Sequence, residues 1–154
     1  MSRTEWRIAA PGPEEMTAWR HMRQTLWPEM RAEENFSETE SMLAAESRFF
    51  IRVALDAQGR AAGFAEAALR RDAVNGCATS PVVFLEGIYV EPQLRRQGVA
   101  RALVHAVEEW GRKIGCCEFA SDALLENTSG HSMHRGLGFE ETERVVYFRK
   151  QLMS

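Results

Sequence analysis

Apolar residues recur along the chain in two rhythms, every second position or every third to fourth, and the changes of rhythm mark out its elements. Trp6-Arg7-Ile8-Ala9 predicts a short strand. Gly12-Pro13-Glu14-Glu15 predicts a helix start, because proline suits a first turn and acids there face the positive dipole end. Met16, Trp19, Met22 and Leu26 give that helix its buried stripe, and Pro28 ends it. A short second helix is expected from near Ser37, with Glu40 at capping-box distance. Phe49-Phe50-Ile51-Arg52-Val53-Ala54-Leu55 and residues 61–69 read as the strands of a hairpin about Asp56-Ala57-Gln58-Gly59. Residues 70–81, with Asn75-Gly76, read as a loop.

Pro81-Val82-Val83-Phe84-Leu85-Glu86-Gly87-Ile88-Tyr89-Val90 is β-rich and predicts the central strand. Gly87 within it suggests a bulge, or a place where a ligand meets the backbone. Val99, Leu103, Val107, Trp110 and Ile114 then recur at helical spacing. Glu108 to Arg112 and Glu109 to Lys113 form i,i+4 pairs on the other side, and Gly115 is a good terminator. A strand over 116–121, a helix over 129–136 and closing strands over 139–151 complete the expected order. No repeat or Pro/Gly-rich linker divides residues 1–154, so one domain is expected.

Composition narrows the function classes. The 154 residues are 45% hydrophobic and 27% charged, enough for one compact core. A net charge of -3 leaves no excess cation to neutralise phosphates, which argues against nucleic acid as a partner. No run of 18 apolar residues occurs and the start lacks the apolar core of an export signal, so no membrane partner and a cytoplasmic location are expected. Cys77, Cys116 and Cys117 lack metal-ligand spacing and read as reduced thiols, and no metal is expected. Residues 29–46 carry six glutamates against the single Arg31, a local balance that favours cationic partners.

The sharpest motif is Arg95-Arg96-Gln97-Gly98-Val99-Ala100, between a strand and an amphipathic helix. Backbone N–H groups at a helix N-terminus converge on one spot, and small Gly98 and Ala100 leave room for a pyrophosphate. Arg95 and Arg96 can add charge-assisted bonds. The motif resembles the R/Q-x-x-G-x-G/A signature of the GNAT acetyltransferases through Arg95, Gly98 and Ala100. Element order over nearly the whole chain, and Leu137-Gly138-Phe139 after the last helix, are similar to that family too.

The resemblance implies one α+β (α/β) GNAT N-acetyltransferase domain: a mixed central sheet with helices on both faces and a V-shaped splay between the central strand and the next. Acetyl-CoA is the implied cosubstrate. Its pantetheine arm is expected along Ile88, Tyr89 and Val90, and its pyrophosphate on Arg95, Arg96, Gln97, Gly98, Val99 and Ala100. Asn127 matches a frequent contact to the arm.

Further blocks are similar to one subgroup, the aminoglycoside 6'-N-acetyltransferases. They include Leu26-Trp27-Pro28, Val74-Asn75-Gly76-Cys77, Ala120-Ser121-Asp122, Glu126-Asn127-Thr128 and Gly138-Phe139-Glu140-Glu141-Thr142-Glu143-Arg144-Val145. This implies acetyl transfer to the 6'-amine of an aminoglycoside, with antibiotic resistance as the result, and a homodimer.

The residues suit that chemistry. A polycationic acceptor needs carboxylates, and the attacking amine must lose a proton. Glu86, set in an apolar strand where desolvation raises a carboxylate pKa, is expected to be a base acting through water. Asp122, at the end of a strand, is expected to bind the ammonium and is the other possible base. Glu143 joins the acceptor site, and Trp27 offers an aromatic face to a sugar. A backbone N–H near residues 88–90 is the natural donor to the developing oxyanion. His134 stands where many GNAT enzymes hold a Tyr that protonates the departing thiolate; it is either that acid or a packed helix residue. Tyr147 is either a second acid or part of strand packing. Acetylation of another amine, such as a polyamine or a protein N-terminus, and noncatalytic acyl-CoA binding on the same scaffold are the alternative functions.

Overall fold

The computed structural model describes residues 5–154, so the first four residues of the stretch read for an export signal lie outside the description. The contacts divide after Asp122, and the two units are taken in turn.

The first unit is built on a five-stranded sheet in the order β1-β2-β3-β4-β5. Its elements are β1 (Arg7–Ala9), α1 (Met16–Leu26), α2 (Ala32–Ala44), β2 (Phe49–Leu55), β3 (Ala61–Arg70), β4 (Val82–Val90), a 3-10 turn (Pro92–Leu94), α3 (Val99–Lys113) and β5 (Phe119–Ser121). Pairings are antiparallel except β4 with β5, which is parallel, so the sheet is mixed as expected. The Asp56 carboxylate ties the hairpin turn by accepting from the N–H groups of Gln58 and Arg60, each at 2.9 Å.

Opposite sheet faces bury different side chains. Ala54, Ala62, Ala65 and Ala67 offer α3 a shallow surface, and Val99, Leu103 and Val107 pack close against it. The other face carries Ile51, Val53, Leu55, Phe64 and Tyr89, which enclose Trp19 and Met22 of α1. Small residues thus admit the long helix and large ones support the short pair. Leu103 is fully buried, and truncating it to Ala is expected to cost about 2–5 kcal/mol.

Two expectations need correction in this unit. α2 starts at Ala32, well before Ser37, and Glu33 and Glu34 occupy its first turn, where their charge complements the dipole. The early start is held by buried polar side chains: Asn35 donates to the Arg20 carbonyl at 2.8 Å, and Arg20 donates to Thr39 Oγ1 at 2.9 Å. In α3 the buried stripe includes Val104 and Gly111, while Ile114 lies exposed past the helix end. Trp110 instead stacks on Phe50 with ring centroids 5.1 Å apart.

The second unit contains α4 (Thr128–Gly136), one residue longer than the helix read from the sequence. The closing strands expected over 139–151 are absent, and residues 139–154 carry no regular structure. A strand needs a ladder partner. Here Val145, Val146, Tyr147 and Phe148 are all exposed instead.

Candidate active site

The β4–β5 ladder is short. Val83, Phe84 and Leu85 pair with Phe119, Ala120 and Ser121, and the pairing stops there. β4 continues alone on that side through Ile88, Tyr89 and Val90, while β3 holds its other edge. A length of strand with one free edge is what a peptide-like arm needs in order to add as a further strand. The splay expected between these two strands is therefore present.

Because the two strands run parallel, Glu86 and Asp122 are the first residues beyond the last pair, Leu85 with Ser121. Both carboxylates stand at the opening of the splay, and both residues are exposed. Glu86 occupies the bulge that Gly87 predicted: Glu66 pairs with Gly87 and Ala67 with Leu85, leaving Glu86 as the extra residue. The apolar enclosure expected for Glu86 is not what the structure has. An added residue turns its side chain outward, and Arg70 grips it through three bonds of 2.9–3.1 Å. Arg70 also lies 3.5 Å above the Phe84 ring.

The carboxylate that is desolvated is Glu66, one strand away, with 2% of its surface exposed. Burial pushes its pKa up to about 7, against the attraction of Arg23. Arg23 is equally buried, donates to Glu66 at 3.0 Å, and also pairs with Glu38. Neither residue was singled out in the sequence, though both left a signal. Arg23 sits at the i+4 position from Trp19 on the apolar stripe of α1, and Glu66 is the lone carboxylate in an alanine-rich strand.

Trp27 follows α1 and covers the bulge. Its ring contacts the face of β4 at Gly87, lies 6.2 Å from the Phe64 ring and has the Arg23 guanidinium 5.0 Å from its centroid. An aromatic ring thus lies on β4 at the residue after Glu86.

At the foot of β4 the chain turns into the Arg95–Ala100 loop. Arg95 Nε donates to the Val90 carbonyl at 3.0 Å, and Trp6 Nε1 donates to the Gln97 carbonyl at 2.9 Å, so both ends of the turn are tied. Arg96 and Gly98 take left-handed conformations, with φ of 64° and 83°. Among the described residues, no side chain caps the N-terminus of α3 and nothing lies within 4 Å of where a Gly98 Cβ would stand. Val99 is buried against the sheet, which fixes the helix end, and Ala100 follows it in the first turn. Such an open, amide-lined end fits a pyrophosphate.

The remaining sequence candidates lie in the second unit. Asn127 caps α4, its Oδ1 accepting from Gly130 N at 3.0 Å. His134 Nδ1 is 2.6 Å from the Gly130 carbonyl, and its ring meets Phe139 edge-on at 5.2 Å. Glu143 and Tyr147 are exposed in the irregular tail. No group of three or more metal-ligating side chains occurs among the described residues, and no described helix is long and apolar enough to cross a membrane.

A splayed parallel strand pair, a bulged central strand and an uncapped helix after Arg-x-x-Gly-x-Ala define an acyl-CoA dependent acetyltransferase scaffold. The chain belongs to the acetyltransferase (GNAT) family, whose model matches residues 16–139. It is 50% identical over 141 residues to an aminoglycoside N(6')-acetyltransferase type 1 of Stenotrophomonas maltophilia, covering 91% of this chain and 90% of that protein. It is 48% identical to the protein of the same name from Salmonella typhimurium, covering 86% and 90%. Among solved structures, AAC(6')-Iy in complex with the bisubstrate analogue CoA-S-monomethyl-acetylneamine superposes with a TM-score of 0.90 at 44% identity, covering 96% of this chain and 99% of that one.

Proposed function

We propose that this protein is an aminoglycoside 6'-N-acetyltransferase, moving acetyl from acetyl-CoA to the 6'-amine by direct attack and thereby conferring antibiotic resistance. The observation that carries the reading is the placement of Glu86 and Asp122 immediately beyond the last β4–β5 pair, with Trp27 lying over the neighbouring Gly87. The relatives carry the same activity in their names over nine-tenths of their length.

Acetyl-CoA supplies an activated thioester, and the chain's residues do the rest. Residues 88–90 hold the arm along β4, and a backbone N–H there donates to the carbonyl oxygen as it gains charge. Residues 95–100 hold the pyrophosphate, and Asn127 adds a contact to the arm. Asp122 and Glu143 bind ammonium groups of the acceptor and Trp27 lies against a sugar ring. Glu86, through water, or Asp122 takes the proton that the amine loses as its nitrogen bonds to the acetyl carbon. The carbon–sulfur bond breaks, and the thiolate gains a proton from His134, Tyr147 or solvent. Both units belong to one catalytic domain in this reading, supported by a family match that runs across them. A homodimer joined through residues 139–154 is part of it, supported by the exposed apolar side chains there. A cytoplasmic location is supported by three free thiols.

The test is thiol release from acetyl-CoA with aminoglycosides bearing or lacking a 6'-amine, beside spermidine and a peptide amine. Turnover confined to acceptors with the 6'-amine is expected. Turnover of spermidine or the peptide alone would make this a GNAT enzyme for another amine, and CoA binding without turnover would make it a binding protein.

A further inference from the structure

One buried guanidinium links three elements beneath the candidate acceptor site. Arg23 Nη1 donates to Glu66 of β3 at 3.0 Å, Nε donates to Asn35 of α2 at 3.2 Å, and Nη2 pairs with Glu38 of α2. The Arg23 side chain is 3% exposed and that of Glu66 is 3% exposed, whereas that of Glu38 is 55% exposed. The cluster therefore reaches from the sheet interior to the surface of the acid-rich helix.

Stability alone does not account for such a pair. Desolvating two charges costs as much as their attraction returns, and well-packed apolar residues of similar volume often do better. What the pair does have is position. Glu66 faces Gly87 across the ladder at the bulge that carries Glu86, and the Arg23 guanidinium lies 5.0 Å from the Trp27 centroid, on the ring that fills the space over Gly87. Arg23 thus reaches Trp27 directly, the bulge through Glu66, and α2 through Asn35 and Glu38.

We propose that Arg23 and Glu66 are positioning residues for the acceptor, holding Trp27 and the acidic face of α2 at the β4 bulge without touching the reacting atoms. This rests on the aminoglycoside reading above only for the identity of the acceptor. The pair lies away from the Arg95–Ala100 loop, so its effect falls on the acceptor and spares acetyl-CoA.

The experiment uses R23M/E66M, which replaces both charges with side chains of similar length and so removes the pair without leaving one charge buried alone. Two readouts are taken. The first is steady-state kinetics with an aminoglycoside bearing a 6'-amine; the expected result is an acceptor KM raised at least tenfold and an acetyl-CoA KM changed less than twofold. The second is 19F NMR of protein labelled with 5-fluorotryptophan, whose four tryptophans give four resonances, that of Trp27 assigned with W27F. The Trp27 resonance should shift and broaden in R23M/E66M while that of Trp110, stacked on Phe50, stays put. A folded double variant with unmoved Trp27 and an unchanged acceptor KM overturns the proposal, as does an equal rise in both KM values. If the wild-type protein turns over no aminoglycoside, the functional reading fails, and the Trp27 resonance alone decides the positioning role. If R23M/E66M does not fold, E66Q, which keeps Arg23 and the shape of the site, is read by the same two measurements and the same outcomes.

Discussion

A Cβ on Gly87 would stand 2.6 Å from Cη2 of Trp27 and 2.7 Å from its Cζ2. The missing side chain is therefore what lets the indole lie on β4, and the bulge and the aromatic wall depend on each other. Gly87→Ala should force Trp27 off the strand, destabilising the protein by about 1–3 kcal/mol as overpacking does. The acceptor KM should rise with it. Urea unfolding beside steady-state kinetics checks this; wild-type stability and acceptor affinity in the variant would mean that Trp27 has room to yield.

Gly98 calls for a different substitution pair. Its φ of 83° opens α3, and no atom of the described residues crowds the place of its Cβ, so the constraint is conformational. Gly98→Val puts a branched residue in the left-handed region at a cost of about 1–2 kcal/mol and should weaken CoA binding by tenfold or more. Gly98→Asn tolerates the conformation and should fold normally, while its side chain intrudes where the pyrophosphate is expected. Calorimetric titration of CoA into both variants is the measurement. Unchanged affinity in both would remove the phosphate role from this loop.

Glu86 should matter to turnover more than to folding. It is ion-paired with Arg70 at the surface, and exposed pairs contribute about 0–1 kcal/mol. Glu86→Gln is expected to leave the unfolding midpoint nearly unchanged and to lower kcat/KM for the aminoglycoside by about 10²-fold, the scale of a lost general base. Asp122→Asn provides the contrast. If Asp122→Asn shows the larger fall in kcat while Glu86→Gln remains active, the base is Asp122 and Glu86 is an ammonium ligand.

The parts of the site that were legible in the sequence are those written by short-range chemistry. Gly87 interrupting a β-rich run foretold the bulge, and Arg95, Gly98 and Ala100 foretold the uncapped start of α3, because turn geometry and helix ends depend on neighbouring residues. What was not legible depends on which residues meet across the fold. Glu86 and Glu66 are each the single carboxylate of an apolar strand, and nothing local tells them apart. The bulge turns Glu86 toward Arg70, and α1 lands on Glu66 with Arg23. The apolar run around Glu86 points to it as the desolvated carboxylate, whereas the fold buries Glu66. Residues 139–151, with the β-rich run Val145-Val146-Tyr147-Phe148, read as strands for a related reason: β-branched and aromatic residues record that a strand can form, not that a ladder partner is at hand.

Glu66 also makes the stability of the protein depend on pH. Burial, reinforced by Glu38 of α2 and Glu86 of β4, raises its pKa to about 7, while Arg23 and the Trp19 indole pull the other way. A carboxyl with a raised folded pKa holds its proton in the native state over a range where the unfolded chain has released it. Protonation then favours the folded form, so this contribution is lost as pH rises from about 4.5 to about 7. Glu66→Gln cannot titrate, and its stability deficit relative to wild type should shrink across that window. Urea midpoints of both proteins at pH 5, 6, 7 and 8 test the sign. A deficit that grows with pH would mean that the Arg23 pairing outweighs burial.

Residues 139–154 yield the last prediction. Tyr147 is 81% exposed and Phe148 92%, and Val146, Leu152 and Met153 are exposed beside them. A contiguous run of that size is unfavourable in water unless something covers it. The same run is charge-balanced, with Glu140, Glu141, Glu143 and Arg144, a net of two acids, before the apolar centre and Arg149 and Lys150 after it. Two copies aligned antiparallel about Val146 would set acids against bases at both ends, which is the self-complementarity that a two-fold interface requires. Sedimentation velocity on the wild-type chain should therefore show a dimer, and Tyr147→Ser/Phe148→Ser should shift it to monomer at the same concentration. A wild-type chain that stays monomeric through the micromolar range would refute the interface. A dimer that survives the double substitution would place it elsewhere on the surface.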